Sequence, residues 1–403
     1  MKSLYSFQTR LSDAFRIFTG SQKSSGIVLL IVSTLSLVLA NSPVSTAYIH
    51  FWKTEIFSQG SSHMTILHLI NDGLMTIFFL LVGLEIKREL IDGELKGFQR
   101  ASLPVAAAIG GMLVPALIYS FINHGLGSVD GWGIPMATDI AFAIGIISIL
   151  GNKVSDAGKI LITALAVVDD LGAVIVIAVF YSPTISIFYL FLAGLVTILL
   201  SYFNYKRFGN IWIYVLPGLL LWFFILQSGI HSTIAGVILA ATIPFHKNEN
   251  SLLICMESKL HKVVNFFIMP LFAMANTAIF IDGNIISHLK SPESIGIIMG
   301  LIIGKPLGIV LMVVLVVSLK ISTMPKQISF SQLIGLGFLG GIGFTMSIFI
   351  TMLAFQDSSY ITNAKMAIIF SSLFAGIIGF SIIKFSKECP GGEFTCPQKK
   401  FLQ

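Results

Sequence analysis

Charged residues are scarce in this chain. Only 11% of its 403 residues are Asp, Glu, Lys or Arg, whereas 55% are hydrophobic, and the mean hydropathy is +0.90. A water-soluble domain usually carries about 25% charged residues. The composition therefore excludes an ordinary soluble domain and predicts a protein that crosses a membrane several times.

Cysteine is also scarce, and a cleavable signal pattern is missing. The three cysteines are Cys255, Cys389 and Cys396. They are too few and too widely spaced for a metal knuckle, so we expect free thiols. The first apolar run, Gly26 to Ala40, is followed by Asn41-Ser42-Pro43 and not by a small-x-small cleavage site. We interpret this run as the first membrane span.

Long apolar runs fill most of the chain and predict an all-α membrane protein of about twelve transmembrane helices. One transmembrane domain, 24–384, would lie between a cytoplasmic segment, 1–23, and a cytoplasmic tail, 385–403. The predicted spans are 24–41, 66–87, 101–122, 133–150, 158–181, 184–203, 211–226, 229–244, 263–281, 295–317, 330–353 and 362–384.

The formal charge of +6 is unevenly distributed. With the N-terminus inside, 21 of the 25 Lys and Arg residues fall on cytoplasmic segments, three fall on external ones, and Lys305 lies within a span. The positive-inside rule then places both termini in the cytoplasm. The basic surplus is explained by topology, so we expect no nucleic acid partner.

Two segments outside the spans have a pattern of their own. Residues 5–20 place apolar side chains on one helical face beside Arg10 and Arg16, which predicts a short helix on the inner membrane surface or a frayed tail. The external segment Ala47–Phe57 is rich in aromatic and β-branched residues. It predicts a hairpin or an interfacial anchor.

The fourth and eleventh spans are not regular helices. The fourth begins with Gly131-Trp-Gly-Ile-Pro-Met-Ala-Thr-Asp139, and the eleventh has five glycines between Gly335 and Gly343. Irregular backbone at membrane depth survives only where it is buried or lines a cavity. The broken spans occupy matching places in spans 3–5 and 10–12, which have opposite orientations. We therefore predict two inverted repeats with crossing interrupted helices, as in secondary transporters.

Two adjacent carboxylates, Asp169 and Asp170, lie in the middle of the apolar run from Gly158 to Tyr181. A charge at the bilayer centre costs roughly 2.5–3.5 kcal/mol on insertion scales. Neighbours on a helix diverge by about 100°, so the two side chains cannot face one point equally. We expect one to face a water-filled funnel and the other to face a partner on another helix.

Lys305, in Gly304-Lys-Pro-Leu-Gly308, is the natural partner because it is the only cation near mid-membrane. A permanent structural ion pair is the alternative, but it would leave the second aspartate unpaired. Asp139 lies at the break of the fourth span beside Thr138. It is either a helix N-cap alone or a cap that also serves the crossing of the broken helices.

Unlike ionisable groups at one buried site predict an ion exchanger. Burial disfavours the charged form of carboxylate and ammonium groups alike. Na⁺ and Li⁺ are hard cations that prefer carboxylate and carbonyl oxygens. A proton and a metal ion would compete for the same oxygens, so binding of one would expel the other.

Several long motifs together resemble the NhaA family of bacterial Na⁺/H⁺ antiporters. They are Ile70-Asn-Asp-Gly-Leu-Met75, Phe78-Phe-Leu-Leu-Val-Gly-Leu-Glu-Ile-Lys-Arg-Glu-Leu90, Pro135-Met-Ala-Thr-Asp-Ile-Ala-Phe142, Ala166-Val-Val-Asp-Asp-Leu-Gly172, Gly229-Ile-His-Ser-Thr-Ile-Ala-Gly236 and Gly304-Lys-Pro-Leu-Gly308.

The resemblance implies a secondary transporter and not an enzyme, in the bacterial inner membrane, with no cofactor. It implies pH-regulated, electrogenic exchange of two protons inward per Na⁺ outward, and a homodimer. It points to Asp170 as the principal cation ligand, to Asp169 as its partner paired with Lys305, and to Thr138 and Asp139 at the helix crossing.

A second group of charges is predicted at the cytoplasmic mouth. The resemblance implies a pH-sensing cluster, whereas the residues alone also fit a solvated helix end with ordinary ion pairs. Ser258 stands where some relatives have a second histidine. His231 is either a further sensor or a packing residue. The candidates are Glu85, Arg88, Glu89, Glu257, Lys259, His261 and His231.

Two other functions were weighed against exchange. An intramembrane aspartyl protease also uses two aspartates, but they must share a proton across about 3 Å. This chain lacks the Gly-x-Gly-Asp pattern, and Lys305 would quench such a pair. A symporter for an organic solute would need more aromatic and amide groups at mid-depth.

Overall fold

The computed structural model of the chain describes residues 22–59, 62–181, 185–245, 251–281, 285–325 and 327–386. The helix predicted at 5–20 and the thiols of Cys389 and Cys396 lie outside these residues. Within them, Cys255 is an exposed free thiol, as expected. The described residues form helices and one short hairpin.

The helices follow the predicted apolar runs closely. In chain order they are α1 (Gln22–Ala40), α2 (Ser45–Lys53), α3 (Ile66–Asp92), α4 (Phe98–Ile122), α5 (Ile140–Leu150), α6 (Asp156–Phe180), α7 (Ile187–Tyr205), α8 (Trp212–Gln227), α9 (Ile234–Thr242), α10 (Leu252–Val263), α11 (Met269–Asn276), α12 (Ile285–Leu289), α13 (Pro292–Ser318), α14 (Phe330–Gly340), α15 (Phe344–Ala354) and α16 (Ser358–Phe385).

Several helices contain a turn of different pitch. 3₁₀ turns, Val129–Met136 and Gly151–Lys153, lie on either side of α5. π-helical turns occur at Leu69–Leu74 within α3, at Val264–Ile268 between α10 and α11, and at Gly300–Gly304 within α13. π turns are frequent at functional positions, and the one in α13 directly precedes Lys305.

Seven of the described helices are long and apolar enough to cross a membrane, and two bent pairs raise that number to nine. The protein is therefore an all-α membrane protein. One bent pair, α14–α15, is the predicted eleventh span and bends by 43°; the other, α1–α2, bends by 114°. The exact number of twelve spans stays a prediction, because α8, α9 and α11 are short.

The segment predicted as a hairpin or an anchor divides into two elements. Its first part is helix α2, and its end is strand β1 (Glu55–Gln59), which pairs antiparallel with β2 (Ser62–Thr65). A register shift between Glu55 and Phe57 bends the first strand. A hairpin is thus present, but it lies about eight residues further along the chain than expected.

Helices α4 and α13 approach each other very closely. A Cβ atom built on Gly110 would lie 2.2 Å from the carbonyl oxygen of Gly308, and one built on Gly308 would lie 2.1 Å from that of Gly110. Only glycine at both positions permits this backbone contact. The contact fixes the helix that carries Lys305 against the rest of the core.

The buried apolar residues form two clusters. The larger cluster surrounds α6, of which 61% of the central window is buried, compared with 11% for α7. The smaller cluster joins α8 and α9 to α3 and α10 through residues such as Tyr214, Leu221, Leu239 and Leu84. Helix α6, with its two aspartates, is thereby held at the centre of the larger cluster.

Candidate functional site at a crossing of two broken helices

The breaks in the fourth and eleventh spans meet in the middle of the protein. Residues Ala137 to Asp139 are extended between the 3₁₀ turn and α5, and Gly341 to Gly343 separate α14 from α15. The Asp139 N–H donates to the carbonyl of Ile342 at 2.6 Å. The Ser347 hydroxyl donates to the carbonyl of Ile134 at 2.8 Å. Direct hydrogen bonds therefore join the two irregular segments.

Asp139 caps the N-termini of two helices. Its Oδ1 accepts from the Phe142 N–H at 3.1 Å, in the first turn of α5. Its Oδ2 accepts from the N–H of Thr345 at 3.1 Å and from the Thr345 hydroxyl, in the first turn of α15. Only 1% of Asp139 is exposed. Because helix N-termini carry partial positive charge, the carboxylate is stabilised from both sides.

Asp169 and Lys305 form a fully buried ion pair. The Lys305 Nζ lies 2.8 Å from the Asp169 Oδ2, and both side chains are 0% exposed. Lys305 also donates to the carbonyl of Met136, the last residue of the 3₁₀ turn. The Thr138 hydroxyl lies 2.8 Å from the same Asp169 oxygen and 2.9 Å from the carbonyl of Gly340. One carboxylate thus connects α6, α13 and both broken spans.

Asp170 points away from this pair. Its residue is 3% exposed and lines a funnel together with Asp139, Phe78, Val82 and other residues. Among the residues that the structure describes, the Oδ1 atoms of Asp170 and of Asp169 have no hydrogen-bond partner. Buried polar atoms are nearly always paired, so these two carboxylate oxygens are positioned for a group that arrives from the funnel.

The funnel holds about 170 Å³ of space. Its mouth is formed by four of the candidate charges, Glu85, Arg88, Glu89 and His261, and its far end is formed by Asp139 and Asp170. A hydrated or partly hydrated Na⁺ could enter such a space, whereas a large organic solute could not. The oxygens at its end are the ligand type that hard cations prefer.

Ion pairs link the mouth of the funnel. Arg88 Nε lies 3.0 Å from Glu257 Oε1, and Arg88 Nη2 lies 3.0 Å from Glu89 Oε1. His261 Nε2 lies 3.0 Å from Glu85 Oε1 and 3.7 Å from Glu257 Oε1. Hydrogen bonds to Glu257 and Glu85 raise the pKa of His261 to about 9. The cluster therefore contains one group that titrates in mildly alkaline solution.

Two of the candidate sensors lie apart from this cluster. Lys259 lines a different groove, between α3, α8 and α9, with Met256 and Leu260. His231 lies 3.5 Å from Asp72, near the other end of α3 from the mouth. Spacing on a helix suggested Lys259, but the side of α10 that faces the funnel carries His261.

The sequence patterns missed several members of the site. Thr345 and Ser347 bond the crossing segments, and the carbonyls of Met136 and Gly340 contact Lys305 and Thr138. A hydroxyl residue directly after the glycine-rich run was a usable signal for Thr345. Backbone carbonyls carry no such signal, because their exposure depends on where the helices break.

Buried ionisable side chains, funnel and crossing broken helices define a membrane transport protein for ions. Comparison with known proteins is specific. The sequence profile of the family described as Na⁺/H⁺ antiporter 1 matches residues 16–383. The chain belongs to this family, which consists of transporters and not of enzymes.

Curated relatives agree with this assignment. The chain is 49% identical to the Na⁺/H⁺ antiporter NhaA of Cytophaga hutchinsonii, over 96% of this chain and 99% of the relative. It is 49% identical to NhaA 1 of Flavobacterium johnsoniae, over 93% and 98%, and 47% identical to NhaA of Dechloromonas aromatica, over 94% and 98%. Such coverage identifies a multi-pass protein of the bacterial membrane with Na⁺ and H⁺ as substrates.

Proposed function

We propose that this protein exports Na⁺, and Li⁺, in exchange for two protons per ion, and so maintains sodium and pH homeostasis. The observation that carries the proposal is the pair of unpartnered buried oxygens, Asp170 Oδ1 and Asp169 Oδ1, at the end of the funnel. Burying an isolated charge is costly. A bound proton or Na⁺ removes that cost, and each excludes the other.

Asp170 is the principal cation ligand in this proposal. Na⁺ entering the funnel meets it first and displaces its proton. The second proton is carried by Asp169 or by Lys305, which share one oxygen at 2.8 Å. If the ion draws Asp169 away from Lys305, the ammonium loses its partner and releases its proton.

The helix crossing provides the moving part. Twelve spans with inverted repeats at spans 3–5 and 10–12 would let the two halves exchange roles on opposite membrane faces. In this orientation both termini and the funnel mouth face the cytoplasm. The close contact between Gly110 of α4 and Gly308 of α13 supports an arrangement in which spans 3 and 10 pair at the centre.

Regulation by pH would act at the funnel mouth. Protonated His261 neutralises part of the charge of Glu85 and Glu257. Loss of that proton leaves the mouth more negative and attracts cations. The hairpin at the opposite end would join two copies of the chain in a homodimer through its exposed strand edges.

Everted membrane vesicles test the function. A pH dye reports the proton gradient while Na⁺, Li⁺ and K⁺ are added in turn over a pH series. We expect Na⁺ and Li⁺ to collapse the gradient and K⁺ to leave it unchanged. A gradient that responds to an organic solute and not to Na⁺ would instead support a symporter, and no response to any of these would refute ion exchange.

A further inference from the structure

Three phenylalanine side chains from three helices pack against one another beyond the end of the funnel. The ring of Phe349 on α15 lies 5.5 Å from that of Phe79 on α3 and 6.2 Å from that of Phe272 on α11. All three residues are 0% exposed. Phe79, Phe272 and Phe349 form what we call the aromatic layer.

Each helix shows the same order on the funnel side of the layer. Met269 on α11 and Met346 on α15 line the funnel, and Phe272 and Phe349 follow three residues later. On α3, which runs in the opposite direction, Phe79 precedes the funnel residue Val82 by three residues. Three residues are about 4.5 Å along a helix, or nearly one turn. The layer therefore directly underlies the funnel on all three helices.

Polar side chains return on the other side of the layer. His231 contacts Phe349 with a ring separation of 5.5 Å and lies 3.5 Å from Asp72. Asn276, four residues after Phe272, donates to Asn71 at 2.9 Å and lies 3.4 Å from the ammonium of Lys365. Buried polar groups need a reason at this depth, since an apolar core would be cheaper to form.

We propose that the aromatic layer is the closed outer gate of the transport pathway, and that Asp72 and His231 line the outer vestibule beyond it. This rests on the antiport function proposed above. In the present conformation the ion site is open to the funnel and sealed by three rings from the hairpin end. Na⁺ and protons leave when movement of α15 separates Phe349 from Phe79 and Phe272.

Charge indicates which side of the vestibule the cation uses. Lys365 lies beside Asn276, and its ammonium repels Na⁺. Asp72 is 29% exposed in its side chain and faces His231, so it offers a carboxylate to a leaving cation. The route therefore passes along α3 and the turn before α9, and away from α16.

Thiol labelling tests the gate independently of transport. In a chain with Cys255, Cys389 and Cys396 replaced by serine, Met269→Cys reports the funnel and Asp72→Cys reports the outer vestibule. A membrane-impermeant cationic thiol reagent is added to everted and to right-side-out vesicles. We expect Met269→Cys to react in everted vesicles and Asp72→Cys to react in right-side-out vesicles.

Truncating the central ring should connect the two compartments. We expect Phe349→Ala to raise the labelling rate of Met269→Cys in right-side-out vesicles by about tenfold or more. The matched control is Phe370→Ala on α16, an exposed ring that stacks on Phe374 at 4.4 Å, away from the layer. An unchanged rate in Phe349→Ala, or an equal rise in Phe370→Ala, would overturn the gate.

A second variant covers the case in which Phe349→Ala does not fold. Phe349→Trp enlarges the ring, so we expect turnover to fall about tenfold while Na⁺ affinity, measured by calorimetry, is unchanged. Normal turnover in a folded Phe349→Trp protein would contradict the proposal. Failure of Na⁺ exchange in the parent chain would instead refute the proposed function, and the labelling pattern distinguishes the two failures.

Discussion

Lys305 binds the carboxylate of Asp169 at 2.8 Å and at the same time donates to the carbonyl of Met136 at the end of a broken helix. The ammonium thus links the charge at the site to the position of the backbone. Because Thr138 contacts the same carboxylate and the carbonyl of Gly340, both interrupted spans respond to what happens at Asp169. Ion occupancy and helix position are connected through one oxygen atom.

The carboxylate pair is predicted to be essential. Asp170→Asn keeps the shape of the side chain and removes its charge, so Na⁺ binding measured by calorimetry in detergent should be abolished. Asp169→Asn should stop transport because it breaks the ion pair with Lys305. Asp156→Asn, an exposed change in the first turn of the same helix, is the control and should bind normally. Normal Na⁺ binding by Asp170→Asn would show that the ligand assignment is wrong.

Lys305 is predicted to stabilise the fold through its charge. Lys305→Ala leaves Asp169 buried without its partner, which should cost on the order of 3–5 kcal/mol and lower the melting temperature. Lys305→Arg keeps a cation and should retain part of the exchange. The charge moved per cycle is measured on the same variants. A Lys305→Ala protein with unchanged melting temperature and unchanged charge per cycle would argue against the pair.

The exchange is predicted to respond to voltage. Two protons entering per Na⁺ leaving move one net charge inward, and a potential of about 100 mV supplies roughly 2.3 kcal/mol for that charge. Proteoliposomes at equal pH on both sides, with the potential clamped by valinomycin, should therefore move Na⁺ against its gradient. Without any voltage response, the exchange would be one proton for one Na⁺.

The pH profile is predicted to depend on His261. Its raised pKa of about 9 means that the ion pairs with Glu257 and Glu85 are fully present below pH 6.5 and are lost as the pH rises through about 9. His261→Gln removes this charge at every pH, so activity should rise at a lower pH than in the parent chain. His124→Gln in an exposed turn is the control. An unchanged profile in His261→Gln would exclude this residue from regulation.

Close packing of α4 against α13 is predicted to limit the side chain at residue 308. Gly308→Ala would place a Cβ atom 2.1 Å from the Gly110 carbonyl oxygen, so it should destabilise the protein by about 1–3 kcal/mol through overpacking. Gly194→Ala on α7, where nothing lies within 4 Å of the added atom, is the matched control. Equal melting temperatures for the two variants would contradict the close contact.

Much of the helical framework was predictable from the apolar runs. The breaks at Pro135 and at the glycines near Gly341 were visible because irregular backbone needs small or helix-breaking residues. Bends were less predictable: the α1–α2 bend of 114° and the position of the hairpin depend on how the chain packs near Met274 and Ile279. Such contacts join residues more than 200 positions apart, and no local pattern encodes them.

The sequence by itself determined that two aspartates lie at mid-membrane on diverging faces of one helix, because adjacent residues on a helix are rotated by about 100°. Only the tertiary structure decided that Asp169 is the one that faces Lys305, that Asp139 caps two helices through Phe142 and Thr345, and that Lys259 and His231 lie away from the funnel. The rotation of each helix about its axis decides these contacts. That rotation is set by packing between distant segments, such as Gly110 against Gly308, and not by the order of residues within one helix.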